Sequence, residues 1–402
     1  MELNVHNLAD YLRQTNIFTE DPIIISEINE LADENDGFVN FIFRVNQNNI
    51  SYIVKQARPY LRYAGIMDYL PTERNYLEYL SFVLRKNIVQ NYVPKVFFAD
   101  AKNNIFIMED LRTSSRIMRF QLNEGEIFAD FPRQISEFAA RSHFYTSELY
   151  LDKTLFRSLQ QKFFNFPMRS IMEDLVLMPA DISGAKESAL KKISMDFWAN
   201  PAIRLATIKA RDNFIKKCEC LVHGDLHTSN IFINKETLHV IDMEYSFIGP
   251  FSYDLGYLTA NFIAQYSAFN FKTHENRENV KNYLLDSIGQ IYRYYFDNFR
   301  KYFEKDGKEV YTSTAGYLDA LFTNILQESL AFMAVANMSR IINLSPYPDF
   351  DCIKDENARL KAIGLSLVID EYFLLNSGKI NSVDQVTEGI KEVQNRYFAH
   401  LY

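Results

Sequence analysis

Cysteine is scarce in this chain of 402 residues, which carries only three, Cys218, Cys220 and Cys352. Their spacing matches neither a disulfide framework nor a standard metal motif, and so few thiols are typical of a reducing compartment. An excess of basic residues is also missing, since the formal net charge is −8. Proteins that bind nucleic acids usually present a basic surface, so we expect no nucleic-acid partner.

Long apolar runs are missing as well. The longest uncharged stretch, residues 255–271, contains Asn261, Gln265 and Ser267, which favours a buried helix over a membrane span. The first residues lack a basic segment followed by an apolar stretch, so no secretory signal is expected. Together these features predict a cytoplasmic protein without membrane contact.

Apolar and aromatic residues are abundant, at 48% and 15% of the chain, which is enough for a large core. Two β-rich runs joined by Asn46–Asn49 predict a hairpin over residues 38–45 and 50–57. Apolar periodicity after Pro71 predicts a helix that reaches Arg85. Further strands are expected over residues 95–99 and 105–108.

After residue 125 the apolar pattern is mainly helical. Long helical stretches are expected near residues 126–150, 154–172, 187–217, 253–267, 276–303, 312–338, 354–376 and 384–400. At this length two lobes are more natural than one domain. We therefore predict an α+β fold with a small β-sheet lobe over residues 1–108, a hinge over 109–112 and a larger, mainly helical lobe over 113–402.

The chemistry is concentrated in the run from His223 to Asn230, His-Gly-Asp-Leu-His-Thr-Ser-Asn, and in Asp242-Met243-Glu244. Asp225 follows a short apolar strand, where its carboxylate is placed to accept a proton from a substrate hydroxyl. Asn230, Asp242 and Glu244 supply the oxygen ligands that hold Mg²⁺ against nucleotide phosphates. This spacing is that of the catalytic and metal loops of the protein-kinase-like superfamily.

Two other interpretations of this region were weighed. His223 and His227 are four residues apart, as in a helical zinc motif, but Gly224 and the preceding strand put them on a turn, which favours buried structural histidines. A solvated acidic loop without chemistry is disfavoured because short apolar runs after Asn230 and before Asp242 predict a hairpin that brings the polar residues together.

The N-terminal part offers candidates for nucleotide binding. Lys55 lies in a strand and resembles the lysine that contacts the α- and β-phosphates, and Glu78 on the following helix is placed to pair with it. Asp36-Gly37 and Asn40 lie at the turn into the first strand, where backbone N–H groups approach phosphates, although one glycine in a turn is a weak signal.

The strand over residues 105–108 ends in Glu109-Asp110-Leu111, at the predicted hinge. Backbone groups of Glu109 and Leu111 are expected to bind the purine edge, so their side chains need not recognise it. Taken alone, this segment also fits an ordinary strand end.

Further motifs follow the same order along the chain. They are Val54-Lys55-Gln56-Ala57-Arg58-Pro59-Tyr60, Glu73-Arg74, Val93-Pro94-Lys95-Val96-Phe97, Met108-Glu109-Asp110-Leu111, Glu173-Asp174-Leu175-Val176, Gly249-Pro250 with Asp254, and Arg340-Ile341-Ile342. With them the chain resembles the 5-methylthioribose kinase family, within the aminoglycoside phosphotransferase and choline kinase group of the protein-kinase-like superfamily.

The resemblance implies ATP-dependent phosphorylation of the 1-hydroxyl of a 5-alkylthioribose in methionine salvage, by a homodimeric, two-lobed enzyme. It implies that Asp225 acts on the sugar hydroxyl, that Asp242 and Glu244 hold Mg²⁺, and that Arg340 binds the sugar. Nucleotide binding then belongs to the lobe over residues 1–108, and catalysis to the lobe over 113–402.

Three positions depart from the family pattern. Ser229-Asn230 stands where the family has Gly-Ser, and Asn343-Leu344-Ser345-Pro346 where it has Gly-Leu-Ala-His. Ser339 stands where the family has the first of two sugar-binding arginines. These departures keep open a kinase of another small hydroxylated acceptor, such as a 5-deoxypentose, an aminoglycoside or an amino alcohol. A non-catalytic, nucleotide-binding pseudokinase is disfavoured because Lys55, Asp225 and Asp242 are all present.

Overall fold

The computed structural model describes residues 1–18, 22–28, 40–60, 70–177, 195, 198–343 and 347–401. The predicted phosphate turn at Asp36-Gly37 and the departures at 344–346 lie outside them. By its contacts the chain divides into two units. The first consists of Met1–Phe120, Asn165–Met168 and Ser229–Ser246, and the second of Gln121–Phe164, Arg169–Thr228 and Phe247–Tyr402. The predicted functional boundary at residues 109–112 stays a prediction.

The first unit contains a five-stranded antiparallel sheet in the order β1-β2-β3-β5-β4. Its hairpin turns at Asn48 and Asn49, whose φ angles of 51° and 63° are those of a two-residue turn that matches the twist of the strands. The predicted hairpin is thus confirmed, with a shorter turn. The strands are β1 (Ile24–Glu27), β2 (Phe41–Gln47), β3 (Ile50–Gln56), β4 (Val96–Asp100) and β5 (Ile105–Glu109).

One face of this sheet packs against the N-terminal helix α1 (Leu8–Arg13). Alternation along β2 buries Phe43 and Val45, which join Leu8 and Leu12 of α1 in one apolar cluster. The predicted helix after Pro71 is confirmed as α2 (Arg74–Val89). The six residues of α1 were not predicted, because so short a helix shows little periodicity.

A small three-stranded sheet completes the first unit. Its strands are β6 (Arg116–Ile117), β8 (Ile231–Ile233) and β9 (Leu238–Val240), in the order β6-β8-β9. Phe232 pairs with His239 across the hairpin and packs with Leu111 and Ile117. The hairpin predicted between Asn230 and Asp242 is therefore confirmed.

The described part of the second unit is mainly helical. The predicted stretch over 154–172 is two helices, because Asn165 adopts a φ of 41°, which no right-handed helix allows. The strand β7 (Cys220–Val222) directly precedes the Asp225 loop and pairs with β10 (Phe247–Gly249), which comes later in the chain. The longer helices are α4 (Phe131–Tyr145), α5 (Lys153–Lys162), α7 (Pro201–Lys216), α8 (Tyr253–Phe269), α9 (Arg277–Asp306), α11 (Tyr317–Asn343), α13 (Glu356–Asn376) and α14 (Val383–Leu401).

Shorter helices join these elements: α3 (Met118–Asn123), α6 (Phe166–Ile171), α10 (Glu309–Thr312) and α12 (Pro348–Asp351). Every residue of α8 is buried, as expected for the uncharged stretch. Within the described residues, none of the helices has the length and apolar character needed to cross a membrane. The predicted α+β class is confirmed.

Gly256 lies where α8 meets α11. A Cβ at this position would stand 2.5 Å from the Ser329 carbonyl oxygen and 2.9 Å from the Met333 nitrogen, so two backbones would have to separate. We expect Gly256→Ala to lower the free energy of unfolding by about 1–3 kcal/mol, the usual cost of overpacking. Urea denaturation measures this. Gly378→Ala is the control, because its Cβ would meet no described atom within 4 Å; an equal loss there would contradict the packing argument.

Candidate active site

Lys55 is the centre of a charged group in the first unit. It lies on β3 between β2 and β5, is 4% exposed, and has its Nζ 2.9 Å from Glu78 Oε1. The same ammonium donates to the carboxylate of Asp242. Burial alone would lower the pKa of Lys55, but Asp242, Glu78 and Glu244 raise it above its usual value. The group therefore stays cationic, as binding of phosphates requires.

Asp242 owes its position to an unusual backbone. It follows β9 with a φ of 63°, in the left-handed region that residues other than glycine seldom adopt. Just before it, the Ile241 N–H donates to the Asn230 carbonyl at 2.9 Å, which fixes the end of the hairpin. Such strain is often found at functional sites, where the surroundings impose it.

Glu244 is 1% exposed and is held by two side chains. Its Oε2 accepts from Asn40 Nδ2 at 2.9 Å and from Arg74 Nε at 3.1 Å, and Arg74 Nη2 donates to Asn40 Oδ1 at 3.1 Å. This triangle fixes the Asn40 amide. Burial and the neighbouring Asp242 raise the pKa of Glu244 despite the two cations, Lys55 and Arg74.

The carboxylates of Glu78, Asp242 and Glu244 fit a divalent cation. One oxygen from each lies within 4.8 Å of the others, and hard oxygen ligands are those that Mg²⁺ prefers. Glu244 Oε1 is buried and accepts no hydrogen bond within the described part of the chain. Glu78 was predicted only as the partner of Lys55, whereas Asn230, the third predicted metal ligand, is 6% exposed and lies on the turn just before β8.

The predicted purine-binding segment lies at the end of β5. The N–H of Glu109 donates to the Lys95 carbonyl at 2.9 Å, so this group already belongs to the sheet. Leu111 is 5% exposed, and its carbonyl accepts from Ser114 and Ser115. The Glu109 N–H and the Leu111 carbonyl are thus already engaged within the protein.

In the second unit, Asp254 at the start of α8 holds the loop that carries Asp225. Its carboxylate accepts from the backbone N–H groups of His223 and Gly224 at 2.7 and 3.0 Å, and lies 3.2 Å from His143 Nε2. Gly224 has a φ of 87°, which suits glycine. Burial acts to raise the pKa of Asp254, but the bond to His143 and the neighbouring charges lower it.

Asp225 is flanked by both predicted histidines. Its N–H donates to His223 Nδ1 at 3.2 Å, and its Oδ2 lies 3.4 Å from His227 Nε2. Burial acts to raise the pKa of Asp225, but His227, His223 and Arg340 outweigh it and lower the pKa to about 2. The carboxylate is therefore charged at neutral pH and suited to orienting a hydroxyl group. His223 and His227 lie on a turn, not on a helix.

Arg340 lies in the last turn of α11, with its guanidinium over the Tyr347 ring at 5.5 Å. The neighbouring Ser339 is fully buried, and its hydroxyl donates to the Val176 carbonyl at 2.5 Å. The departure at position 339 therefore lies in the interior of the second unit. Its neighbour Arg340 contributes to the lowered pKa of Asp225.

Sequence reasoning did not single out Asn165, Arg74 or His227 as functional. Asn165 is buried and donates from Nδ2 to the carbonyls of Glu244 and Ser246 at 2.8 and 3.0 Å. An isolated asparagine gives no sequence signal for such a role. Arg74 is 1% exposed, whereas an arginine on a helix is usually assigned to solvent.

Asn165→Gly removes both of these hydrogen bonds and keeps a residue that tolerates the positive φ. We expect the Mg²⁺ concentration for half-maximal activity to rise about threefold to tenfold, since each hydrogen bond contributes about 0.5–1.5 kcal/mol. Asn104→Gly is the control, because Asn104 has a similar φ of 53° in a turn that does not contain Glu78, Asp242 or Glu244. Equal Mg²⁺ dependence in the two variants would show that Asn165 does not support Glu244.

Comparison with known proteins defines the class first. Residues 185–279 match the model of the phosphotransferase enzyme family APH. The protein is an ATP-dependent phosphotransferase, a kinase of small molecules.

The methylthioribose kinase of Bacillus mycoides (strain KBAB4) is 30% identical over 332 residues, which cover 81% of this chain and 82% of that protein. The one of Geobacillus thermodenitrificans (strain NG80-2) is 28% identical over 354 residues, 87% of each chain. The chain belongs to the methylthioribose kinase family, which confirms the family and the enzyme class expected from the sequence.

Proposed function

We propose that this enzyme transfers the γ-phosphoryl group of ATP to the 1-hydroxyl of 5-methylthioribose and releases 5-methylthioribose 1-phosphate, a step of methionine salvage. The observation that carries the proposal is the similarity to methylthioribose kinases over more than four fifths of the chain. Two parts of the site agree with it: the cationic Lys55 is suited to binding phosphates, and the ionised Asp225 is suited to aligning the acceptor hydroxyl.

The first unit binds the nucleotide in this proposal. Lys55, oriented by Glu78, contacts the α- and β-phosphates. Asn40 acts by holding Glu244. The Glu109 carbonyl and the Leu111 N–H bind the purine edge.

Asp242, Glu244 and Asn230 are the residues that we assign to Mg²⁺. The bound ion supplies charge neutralisation for the β- and γ-phosphates. Proximity supports this assignment, because one carboxylate oxygen of each of Glu78, Asp242 and Glu244 lies within 4.8 Å of the others.

Asp225 is the catalytic residue of the second unit. A sugar hydroxyl is a weak nucleophile, and a charged carboxylate within hydrogen-bond reach aligns it for in-line attack and accepts its proton as the new P–O bond forms. Arg340 donates hydrogen bonds to the hydroxyls of the sugar, a use that suits its forked donors.

We further propose a homodimer in the cytoplasm. The dimer rests on the resemblance, and the location on the small number of cysteines and on the absence of a spanning helix among the described residues. Light scattering of the purified protein tests the dimer: a mass near 94 kDa, twice the 47.1 kDa of one chain, is expected, and a mass near that of one chain would contradict it.

A second candidate is a kinase of another small hydroxylated acceptor. Ser339 favours this second candidate, because its buried hydroxyl donates to the Val176 carbonyl. Of positions 339 and 340, Arg340 is thus the one that we assign to the sugar. A charged hydrogen bond is worth about 1.5–3 kcal/mol, so the loss of one arginine would weaken methylthioribose binding by about tenfold or more.

An ADP-release assay with Mg-ATP separates the candidates. 5-Methylthioribose is compared with ribose, 5-deoxyribose, choline and an aminoglycoside at equal concentrations. Preferred turnover of methylthioribose supports the proposed function, and a higher kcat/KM for another acceptor would reassign the substrate. Nucleotide binding without turnover of any acceptor would support the pseudokinase and overturn both candidates.

A further inference from the structure

A buried chain of polar side chains lies behind Arg340. Asp370 of α13 and Asn337 of α11 are both 0% exposed, and Tyr347 is 5% exposed. Asn337 Nδ2 lies 2.8 Å from Asp370 Oδ2, and the Tyr347 hydroxyl donates to Asn337 Oδ1 at 2.9 Å. The chain of contacts therefore runs from the interior of the second unit to the ring beneath Arg340.

Asn337 is held by three side-chain hydrogen bonds. Its Nδ2 carries two hydrogens, one for Asp370 and one for the Ser366 hydroxyl, which is also 2.8 Å away. Its Oδ1 accepts from Tyr347. These contacts use both hydrogens and the oxygen of the Asn337 amide, so its polar atoms are paired in the interior, where unpaired ones are costly.

Asp370 is fully buried. Its Oδ1 accepts no hydrogen bond from the described residues. Burial raises the pKa of Asp370 well above its usual value, and the bond to Asn337 only partly offsets this. Burial therefore favours the uncharged form of this carboxyl group, which reduces its competition with Asp225 for Arg340.

Tyr347 connects the buried chain with the charged group. The Arg340 guanidinium carbon lies 5.5 Å from the centre of its ring, within the range of a cation–π contact. Arg340 Nε is buried and donates no hydrogen bond to any described residue. The Tyr347 ring therefore supports a guanidinium that in turn lowers the pKa of Asp225.

We propose that Asp370, Asn337 and Tyr347 are positioning residues that set the Arg340 guanidinium for the hydroxyl groups of the acceptor. They touch neither nucleotide nor acceptor and determine acceptor affinity through Arg340. The inference rests on the proposed function in one respect, namely that Arg340 belongs to the acceptor site.

The kinetic test uses paired variants of the full chain. Tyr347→Leu removes the ring and is expected to raise the KM for the acceptor about threefold to thirtyfold, the range of a partly desolvated cation–π contact, with the KM for ATP unchanged. Tyr347→Phe removes only the hydroxyl and should have a smaller effect. An unchanged acceptor KM in Tyr347→Leu, or equal rises for acceptor and ATP, would overturn the proposal.

Asp370 offers a rescue test. Asp370→Asn keeps a neutral group with an accepting oxygen, so its acceptor KM should stay near that of the wild type, whereas Asp370→Leu should behave like Tyr347→Phe. Equal losses in both variants would contradict the role of Asp370 as an uncharged hydrogen-bond acceptor for Asn337. Tyr372→Leu is the control for loss of a ring, because Tyr372 lies 5.7 Å from the Arg396 guanidinium in a similar pair.

A spectroscopic measurement keeps the positioning role separate from the choice of substrate. In ¹⁵N-arginine spectra assigned with Arg340→Lys, the Arg340 Nε–H signal should be ordered in the wild type, shifted in Tyr347→Phe and mobile in Tyr347→Leu. If Arg340 is ordered as expected while the wild type prefers another acceptor, the positioning role stands and the proposed substrate fails. An Arg340 signal equally ordered in all variants would overturn the positioning role whatever the substrate.

Discussion

Asp225→Asn is expected to lower kcat by about two to four orders of magnitude, the usual contribution of a positioned general base. The pKa of Asp225 is lowered to about 2, so at neutral pH the substitution removes a full charge as well as a proton acceptor. Asparagine has nearly the same shape, and Asp254 holds the loop through backbone N–H groups that the substitution leaves in place. The loss should therefore fall on the chemical step, with the KM for ATP within about twofold of the wild type.

Steady-state kinetics with the preferred acceptor measure this loss. Asp212→Asn is the matched control, since Asp212 pairs with the exposed Lys216 one helical turn away. A kcat for Asp225→Asn within tenfold of the wild type would remove Asp225 from the catalytic role, and the acceptor would then be activated by another group.

Asp242→Asn is the second substitution with a large expected effect. It removes one carboxylate of the proposed metal group and one of the two partners of Lys55. We expect kcat/KM for ATP to fall by about two to three orders of magnitude, since charge stabilisation of the transferred phosphoryl group is the main contribution of such sites. The Mg²⁺ concentration for half-maximal activity should rise in parallel.

Binding of Mn²⁺, followed by electron paramagnetic resonance in the presence of ADP, gives a readout that does not depend on turnover. The signal of bound Mn²⁺ should weaken in Asp242→Asn and remain in Asp100→Asn, which changes a carboxylate of the same unit that binds Tyr11 and Asn103. Equal Mn²⁺ binding in the two variants would exclude Asp242 as a ligand.

Local patterns were enough to predict the β2–β3 hairpin and α2. Alternation and asparagine-rich turns are short-range signals, and Asn48 and Asn49 carry the whole turn. The pairing of Lys55 with Glu78 was also expected, because a lysine on a strand followed by an acidic residue on the next helix is a recognisable order. Their roles in catalysis remain predictions.

Long-range contacts were beyond the reach of the sequence. Asn165 lies 79 residues from Glu244, and no periodicity indicates that its side chain binds the carbonyls beside the metal group. Likewise, Arg74 and Asp370 are charged residue types that composition assigns to solvent, and only tertiary packing shows them to be buried. The break between α5 and α6 has the same origin, since a single left-handed residue decides it.

The first unit is assembled from three separate stretches of the chain, the last of which ends at Ser246. During synthesis, a ribosome must therefore release more than half of the 402 residues before this unit has all its parts. Until then a nascent N-terminal segment carries Lys55 and Glu78 without Asp242 or Glu244, and Arg74 without its carboxylate partner. Charges left unpaired in a forming core oppose its closure, so we expect the five-stranded sheet to become stable only late in translation.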